Sequence, residues 1–197
     1  MTPEQKTISR ILKVNHAGEY GAIRIYRAQI FVSKYLHKDL MAFLEETVSH
    51  EIDHCRMFRE AMSARQSRPC YAMWLWGLGG TALGLITAIM GKNAIMVCTA
   101  AVERTVHRHL EEQIEFLAGR DEALKVAIAD IQAQELGHLL HAEAHIRPGP
   151  LNRWLSSTIC VSTEVVIWLS TQGAVSRMQR ALSLLPQQPM PLGERQP

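Results

Sequence analysis

The heptapeptide SHEIDHC, residues 49–55, contains the string His-Glu-x-x-His from His50 to His54. In zinc proteases, the two histidines of this string hold the metal and the glutamate activates a water molecule. The extended form of that motif requires glycine at position 57 and histidine at position 60, where this chain has Met57 and Glu60. The string alone is therefore weak support for a protease, and the same letters need another explanation.

A shorter motif, Glu-x-x-His, occurs twice in the chain. It is present at Glu51 and His54 and again at Glu135 and His138. Residues three positions apart share one face of a helix, so each motif can direct one carboxylate and one imidazole to a common point. Two such motifs predict two helices that contribute donors to one site.

A repeat with a constant offset extends this pattern. A lone glutamate precedes each motif by 32 positions (51 − 19 and 135 − 103), at Glu19 and Glu103. All three members recur 84 positions later (103 − 19, 135 − 51 and 138 − 54). The second half has Gln134 where the first has His50. We therefore interpret His50 as an exposed helix residue without a role in the repeated site.

The repeated residues have the composition of a site for two metal ions. One glutamate from each of two helices and one Glu-x-x-His from each of two others form the ligand set of ferritin-like di-iron carboxylate proteins. Four carboxylates offset the charge of two divalent ions, and open positions remain for O2. Manganese suits the same donors, so the pattern alone does not select iron. The predicted ligands are Glu19, Glu51, His54, Glu103, Glu135 and His138.

Helices must carry these side chains. Apolar residues recur at every third or fourth position, which is typical of helices with one buried face. The ligands lie on these apolar stripes, where charged groups are buried only if they are paired or bind a metal. We predict an all-α protein, a ferritin-like four-helix bundle in a single domain over residues 1–185, followed by a Pro-rich disordered tail over 186–197. The predicted helices span residues 4–35, 39–66, 93–118, 121–146 and about 150–183.

An apolar segment without charge covers residues 70–91 and is long enough to span a bilayer if it is helical. It contains several glycines, which weaken helix propensity. Three interpretations remain open: a spanning helix, a buried core helix or oligomer contact, and a segment in the membrane interface. Trp74 and Trp76 favour the interface. A second apolar tract near the end of the chain is interrupted only by Glu164.

Two further residues are candidates for a role behind the metal ligands. His109 follows Glu103 by six positions and lies on roughly the same side of its helix. Asp53 is a candidate acceptor for the outer N–H group of a ligand histidine from a neighbouring helix, because metal-bound histidines usually donate that proton. A zinc set of His138, His141 and His145 is disfavoured, since these residues spread over two helical turns.

Charge and cysteine usage exclude other classes of protein. The net charge of +2 provides no basic face of the kind that a nucleic-acid-binding protein needs, and we expect no nucleic-acid partner. The four cysteines are far apart in apolar or helical stretches, so we expect reduced thiols in a cytosolic redox environment. The first residues include neither an apolar signal core nor an Arg-rich presequence.

The segment KVNHAGEYGAIRIYRAQ, residues 13–29, closely resembles the first-helix motif of the demethoxyubiquinone hydroxylase family. The resemblance continues through HEIDHCRMF, QELGH and VVIWLS and covers roughly residues 8–175. It implies that the six residues found by spacing are iron ligands and that His109 matches a histidine behind them. Many members have a tyrosine after that histidine, whereas this chain has Leu110, which puts a tyrosine relay in doubt.

The resemblance also implies an activity. Members of the family are membrane-associated di-iron enzymes that use O2 to hydroxylate the ring of a demethoxyubiquinol in ubiquinone biosynthesis, with NADH as the expected electron source. The implied partners are a polyprenyl quinol, a membrane surface, and either a homo-oligomer or a lipid-presenting protein. The expected location is the cytoplasmic face of a bacterial inner membrane, or the matrix side of the mitochondrial inner membrane in a eukaryote. A ferritin-like iron-binding or ferroxidase protein and a di-iron oxidase with another substrate remain as alternatives.

Overall fold

A computed structural model of the chain describes residues 1–171 together with Ser176 and Arg180. The described residues form helices and no strand, which confirms the all-α prediction. The predicted helix end near 183, the domain boundary at 185 and the tail over 186–197 lie outside the described residues. The helices are Pro3–Leu36 (α1), Met41–Ala64 (α2), Met73–Met90 (α3), Lys92–Leu117 (α4), Glu122–His145 (α5) and Pro150–Thr171 (α6), with a 3₁₀ turn at Lys38–Leu40 before α2.

Local capping fixes where α1 and α5 begin. The hydroxyl of Thr2 accepts a hydrogen bond from the backbone N–H of Gln5 at 3.2 Å, and the Gln5 side chain accepts one from the Thr2 backbone at 2.8 Å. This reciprocal capping box satisfies two N–H groups that the helix itself leaves free. Asp121 caps α5 and also accepts from Arg65, just beyond the end of α2, at 2.6 Å and 2.8 Å. The end of α2 and the start of α5 are therefore held together.

Helices α1, α2, α4 and α5 form a four-helix bundle. Short links join α1 to α2 and α4 to α5, so each pair is an antiparallel hairpin. Side chains from all four helices meet in one apolar core, which lies on the N-terminal side of the ligand positions of α1. Its buried members are Ile8, Ile11, Leu12, Phe58, Met62, Leu110, Phe116, Leu117, Leu124, Ile128 and Ile131.

Helix α3 packs against α1, and α6 packs against α4, so each half of the chain is a unit of three helices. Glycines allow α3 to approach α1 closely. A Cβ atom at Gly80 would lie 2.4 Å from the carbonyl oxygen of Gly21, and one at Gly84 would lie 2.3 Å from that of Ile25. No side chain fits at such distances, so these glycines serve close packing between helices.

The outer face of α3 is open. Among the described helices, α3 is the one whose length and composition would allow it to cross a membrane, and 28% of that stretch is buried within the protein. Trp74, Leu78 and Ile89 are 62%, 62% and 72% exposed. The interpretation of residues 70–91 as a buried core helix is therefore wrong for this face, although the face toward α1 is buried.

Candidate metal centre

The six side chains singled out by spacing meet inside the four-helix bundle. Each is between 1% and 6% exposed. Helices α1 and α4 each contribute one glutamate, and α2 and α5 each contribute one Glu-x-x-His pair. The structure thus brings together Glu19, Glu51, His54, Glu103, Glu135 and His138.

The cluster divides into two overlapping groups whose donor atoms lie within 4.8 Å of one another. One group is completed by Glu19 and His54, and the other by Glu103 and His138. Glu51 and Glu135 belong to both groups. This is the arrangement that two neighbouring cations need when two carboxylates bridge them and one glutamate and one histidine bind each ion on the outside.

Both histidines turn the same ring nitrogen toward the centre. The Nδ1 atom of His54 is 2.9 Å from Glu135 Oε1, and that of His138 is 3.2 Å from Glu135 Oε2. Three buried atoms of the cluster lack an aligned hydrogen-bond partner: Glu51 Oε1, His54 Nδ1 and Glu135 Oε1. Buried polar atoms of this kind are normally satisfied, so the donor set fits a metal.

Burial makes the charges of the cluster unfavourable without a cation. It raises the pKa of Glu19 to about 7 and raises the pKa values of Glu51 and Glu103 well above the ordinary range. Burial acts in the same direction on Glu135, but the nearby His138 and His54 rings and the Glu103 carboxyl outweigh it and hold the Glu135 pKa below its usual value. Bound cations would stabilise all four carboxylates in their charged form.

A cavity of about 650 Å³ reaches the cluster from the side of α3 and α6. Its walls are mostly apolar and come from α1, α3, α4 and α6, while Glu19, Glu51, Glu103 and Glu135 lie at its inner end. Asn15 and Gln113, also in the wall, exchange two hydrogen bonds of 2.7 Å and 3.0 Å. The arrangement can bring a largely apolar molecule against a metal cluster.

The model of the family described as ubiquinone biosynthesis protein COQ7 matches residues 6–170. The chain belongs to this family. A relative from Dictyostelium discoideum, named NADPH-dependent 3-demethoxyubiquinone 3-hydroxylase, mitochondrial, is 34% identical over 173 residues, which cover 86% of this chain and 79% of the relative. The resemblance inferred from the motifs is thereby confirmed.

Two further relatives come from a bacterium and from humans. The 3-demethoxyubiquinol 3-hydroxylase of Rhodospirillum rubrum is 33% identical over 164 residues, covering 83% of this chain and 77% of the relative. The human NADPH-dependent 3-demethoxyubiquinone 3-hydroxylase, mitochondrial, is 36% identical over 170 residues, covering 83% and 76%. The names of the human and Dictyostelium relatives specify NADPH, whereas the motifs led us to expect NADH.

One contact at the cluster was not identified from the sequence. The hydroxyl of Tyr26 donates a hydrogen bond to Glu103 Oε1 at 2.5 Å. Tyr26 is buried, and burial together with the Glu103 charge raises its pKa well above the ordinary value. It follows Glu19 by seven positions, two helical turns on the same face, and this spacing was the available signal. Leu110 holds a core position and offers no such donor.

His109 lies in the cavity wall, on the same side of α4 as Glu103. It is buried, and its Nε2 atom is 3.0 Å from Glu164 Oε2 in α6. Burial lowers the His109 pKa, so the neutral ring is favoured. Glu164 also pairs with Arg108. The single charge of the second apolar tract thus faces α4, a role that the sequence did not reveal.

Two other expectations require correction. Asp53 lies on the exposed face of α2, where its carboxylate accepts from Arg56 at 2.9 Å and serves no ligand histidine. It is two positions from Glu51, and this spacing places it on the far side of the helix. His50, expected to be exposed, is half-buried, and its Nδ1 atom is 2.9 Å from Nε2 of His138.

Proposed function

We propose that this protein is a di-iron monooxygenase that hydroxylates the ring of a demethoxyubiquinol, as its named relatives do. The proposal rests on the position of the donor cluster relative to the cavity. A buried cluster with donors for two cations forms the inner end of a cavity that is otherwise apolar. A storage protein would need the cluster but would have no use for such a cavity.

The proposed ligands are the six residues of the cluster. Glu51 and Glu135 belong to both donor groups and would be available to both iron ions, whereas Glu19 and His54 would hold one ion and Glu103 and His138 the other. Four carboxylates balance the four positive charges of two Fe(II) ions. When bound, the two ions would supply the activation of O2, the proposed co-substrate.

The cavity suits the substrate class. Its volume of about 650 Å³ is in the range of small-molecule sites, and its apolar walls favour a quinol ring with the first part of an isoprenoid tail. Trp76 and Trp154 belong to the wall on the side of α3 and α6. A long tail would leave between these two helices, toward their exposed faces.

Side chains in the cavity wall can bind and orient the ring. Burial lowers the His109 pKa and favours the neutral imidazole, which is held between Glu164 at Nε2 and Glu112, whose Oε2 atom lies 3.5 Å from Nδ1. The Asn15–Gln113 amide pair provides donors and acceptors beside it for the ring oxygens. The apolar remainder of the wall excludes water from the site.

The exposed apolar faces support a peripheral position on a membrane. Helices α3 and α6 present large exposed apolar side chains, including Trp74, Leu75, Leu78, Ile86, Ile89, Trp154 and Val165. Tryptophan prefers the headgroup level of a bilayer. Because α1 lies along the other face of α3, that helix is not surrounded by lipid, and a position in the interface fits better than a spanning one.

The remaining elements of the proposal rest on the family resemblance, and the names of the Dictyostelium and human relatives add NADPH and a mitochondrial location. Electrons would come from a reduced nicotinamide cofactor, NADH or NADPH. The protein would act at the cytoplasmic face of a bacterial inner membrane or at the matrix side of the mitochondrial inner membrane. A second copy of the chain or a lipid-presenting protein is the expected macromolecular partner.

The activity is tested with purified protein loaded with Fe(II) and given a short-tailed demethoxyubiquinol and ¹⁸O-labelled O2. We expect a product with one ¹⁸O atom on the ring, and no product from a Glu135→Ala variant. Two bound irons per chain without any product would contradict the hydroxylase. A large soluble oligomer that accumulates iron oxide would instead support the storage alternative.

A further inference from the structure

The outer nitrogens of the two cluster histidines have defined partners. With Nδ1 toward the centre, the Nε2 atom of His138 lies 2.9 Å from Nδ1 of His50. The Nε2 atom of His54 lies 3.2 Å from Oε1 of Gln134. The rings of His50 and His138 are also nearly coplanar, with centroids 5.2 Å apart and planes inclined by 15°, which suits a hydrogen bond between their edges. Each histidine is therefore held on the side away from the cluster.

These two partners extend the internal repeat. They are separated by the same 84 positions as the ligands (134 − 50), and each directly precedes the glutamate of its own motif. The contacts are crossed, because His50 of α2 serves the histidine of α5, and Gln134 of α5 serves the histidine of α2. Such a crossed pair recurs for the same geometric reason as the ligands themselves.

The chemistry of a bound imidazole explains what the partners do. A neutral histidine that binds a metal through Nδ1 carries its proton on Nε2 and needs an acceptor for it. The amide oxygen of Gln134 is always an acceptor, and Nδ1 of His50 accepts when the proton of that ring is on the other nitrogen. Either acceptor fixes the tautomer and the orientation of the ligand ring.

We propose that His50 and Gln134 are positioning residues for the two metal sites. His50 would act on the ion bound by Glu103 and His138, and Gln134 on the ion bound by Glu19 and His54. This inference rests on the two-metal centre of the proposed function. It assigns the first histidine of the His-Glu-x-x-His string a role behind the metal, different from that in a zinc protease.

The test measures binding of Co²⁺ to the metal-free full chain by calorimetry. We expect two ions per wild-type chain. His50→Leu removes the acceptor and should lower the affinity for one Co²⁺ ion by about 10-fold to 100-fold. His50→Gln keeps an acceptor, and its affinity for that ion should stay within about threefold of wild type. Gln134→Leu should lower the affinity for the other ion by about 10-fold. We expect this smaller effect because Gln134 is exposed and a water molecule can replace its amide oxygen.

A second readout assigns each effect to one histidine. In the Co²⁺-loaded protein, the Nε2 proton of each ligand histidine gives a shifted, exchangeable proton NMR signal. His50→Leu should speed solvent exchange of one signal and Gln134→Leu that of the other. A general loss of packing would instead change both signals and lower the melting temperature of the metal-free protein. His145→Leu, at the exposed end of α5, is the matched control.

The possible results distinguish failure of the two-metal centre from failure of the positioning role. If wild-type protein does not bind two Co²⁺ ions, the metal centre itself fails. If wild type binds two ions and His50→Leu binds both as tightly, with both proton signals unchanged, the positioning role is wrong. The role is also wrong if His50→Gln behaves like His50→Leu, because the acceptor would then not be what matters.

Discussion

The first three helices and the last three follow one plan at an offset of 84 residues, but their surroundings differ. In the first half, Gly80 of α3 lies against the backbone of Gly21 in α1. The position 84 residues later is Glu164 of α6, whose side chain contacts Arg108 and His109 of α4. Glycine brings α3 close to α1, while a charged side chain stands between α6 and α4.

This difference shows which parts of the repeat the chemistry constrains. Both halves retain the same donor types at the same spacing, as the proposed pair of similar cations would need. The helices outside the bundle have no such constraint. Both line the cavity, but α3 packs closely on α1 through its glycines, whereas α6 contacts α4 through the charged side chain of Glu164.

The largest expected effect is on iron content, and it distinguishes a carboxylate that belongs to both donor groups from one that belongs to a single group. Glu135 belongs to both donor groups, whereas Glu103 belongs to one. We expect Glu135→Ala to bind less than one iron per chain and to lose all hydroxylation, and Glu103→Ala to retain about one iron. Elemental analysis of Fe(II)-loaded protein measures this, with Glu122→Ala as a control at the exposed start of α5. Two irons retained in Glu135→Ala would show that this carboxylate does not bridge.

The next effect concerns the close contact that the second half lacks. Gly80→Ala places a Cβ atom 2.4 Å from a backbone oxygen and should lower the free energy of unfolding by about 1–3 kcal/mol or more. Gly79→Ala is the matched control, because nothing lies within 4 Å of its added Cβ atom. It should be neutral or stabilise the protein by up to about 1 kcal/mol, since alanine favours a helix. Denaturant unfolding in detergent measures both variants. Equal stabilities would contradict the proposed packing role of Gly80.

The buried carboxylates predict how the metal-free protein responds to pH. Glu19, with a pKa of about 7, and Glu51 and Glu103, whose pKa values burial raises well above the ordinary range, hold protons in the folded state that the unfolded chain releases above about pH 4.5. The stability that these carboxyls contribute is therefore full below that pH and is lost as the pH rises, for Glu19 by about 1 kcal/mol per pH unit until its folded pKa of about 7 is reached. Glu135 has a lowered pKa, so its ionisation changes the folding stability only at more acidic pH.

Melting temperatures from pH 5 to 8, with a chelator and with bound metal, check this expectation. The metal-free protein should melt at lower temperature as the pH rises, and the metal-loaded protein should lack this decrease because its carboxylates are already ionised. Glu19→Gln should flatten the metal-free curve. A metal-free protein that gains stability between pH 5 and 8 would contradict the burial of these acids without compensation.

The clustering of the six candidate donors and the positions of the bundle helices were predictable because both follow from spacing along the chain. Glu19 and Glu103 lie on apolar stripes, and a repeated offset distinguishes a charge in the core from an accident. Asp53 was chosen by residue type, but the angle around the helix directs it to solvent. The contact of His50 depends on how α2 and α5 are rotated toward each other, and no local pattern encodes that rotation. The glycines of α3 weakened the helix prediction, and their purpose appeared only with α1 beside them.

The smallest expected effect concerns a contact present in one half only. Tyr26 donates to Glu103, and the position 84 residues later is Leu110, which cannot donate. Tyr26→Phe should lower the free energy of unfolding of the metal-loaded protein by about 1–2 kcal/mol, because a buried carboxylate loses a donor. It should also lower the affinity for the ion at the Glu103 site more than the affinity for the other ion, because the hydrogen bond from Tyr26 counteracts the rise in the Glu103 pKa.

Tyr20→Phe is the matched control for this last change. Tyr20 lies on the same helix, half-buried against Gly77 of α3 and outside the cluster. Removal of its hydroxyl should change stability by less than about 0.5 kcal/mol and leave both metal affinities unchanged. If the two Tyr→Phe variants behave alike, or if Tyr26→Phe weakens both ions equally, then the hydrogen bond to Glu103 does not distinguish the two halves. In that case the asymmetry of the centre must come from His109 in the cavity wall and from Glu164, which holds the His109 ring, since neither has a counterpart in α1 and α3.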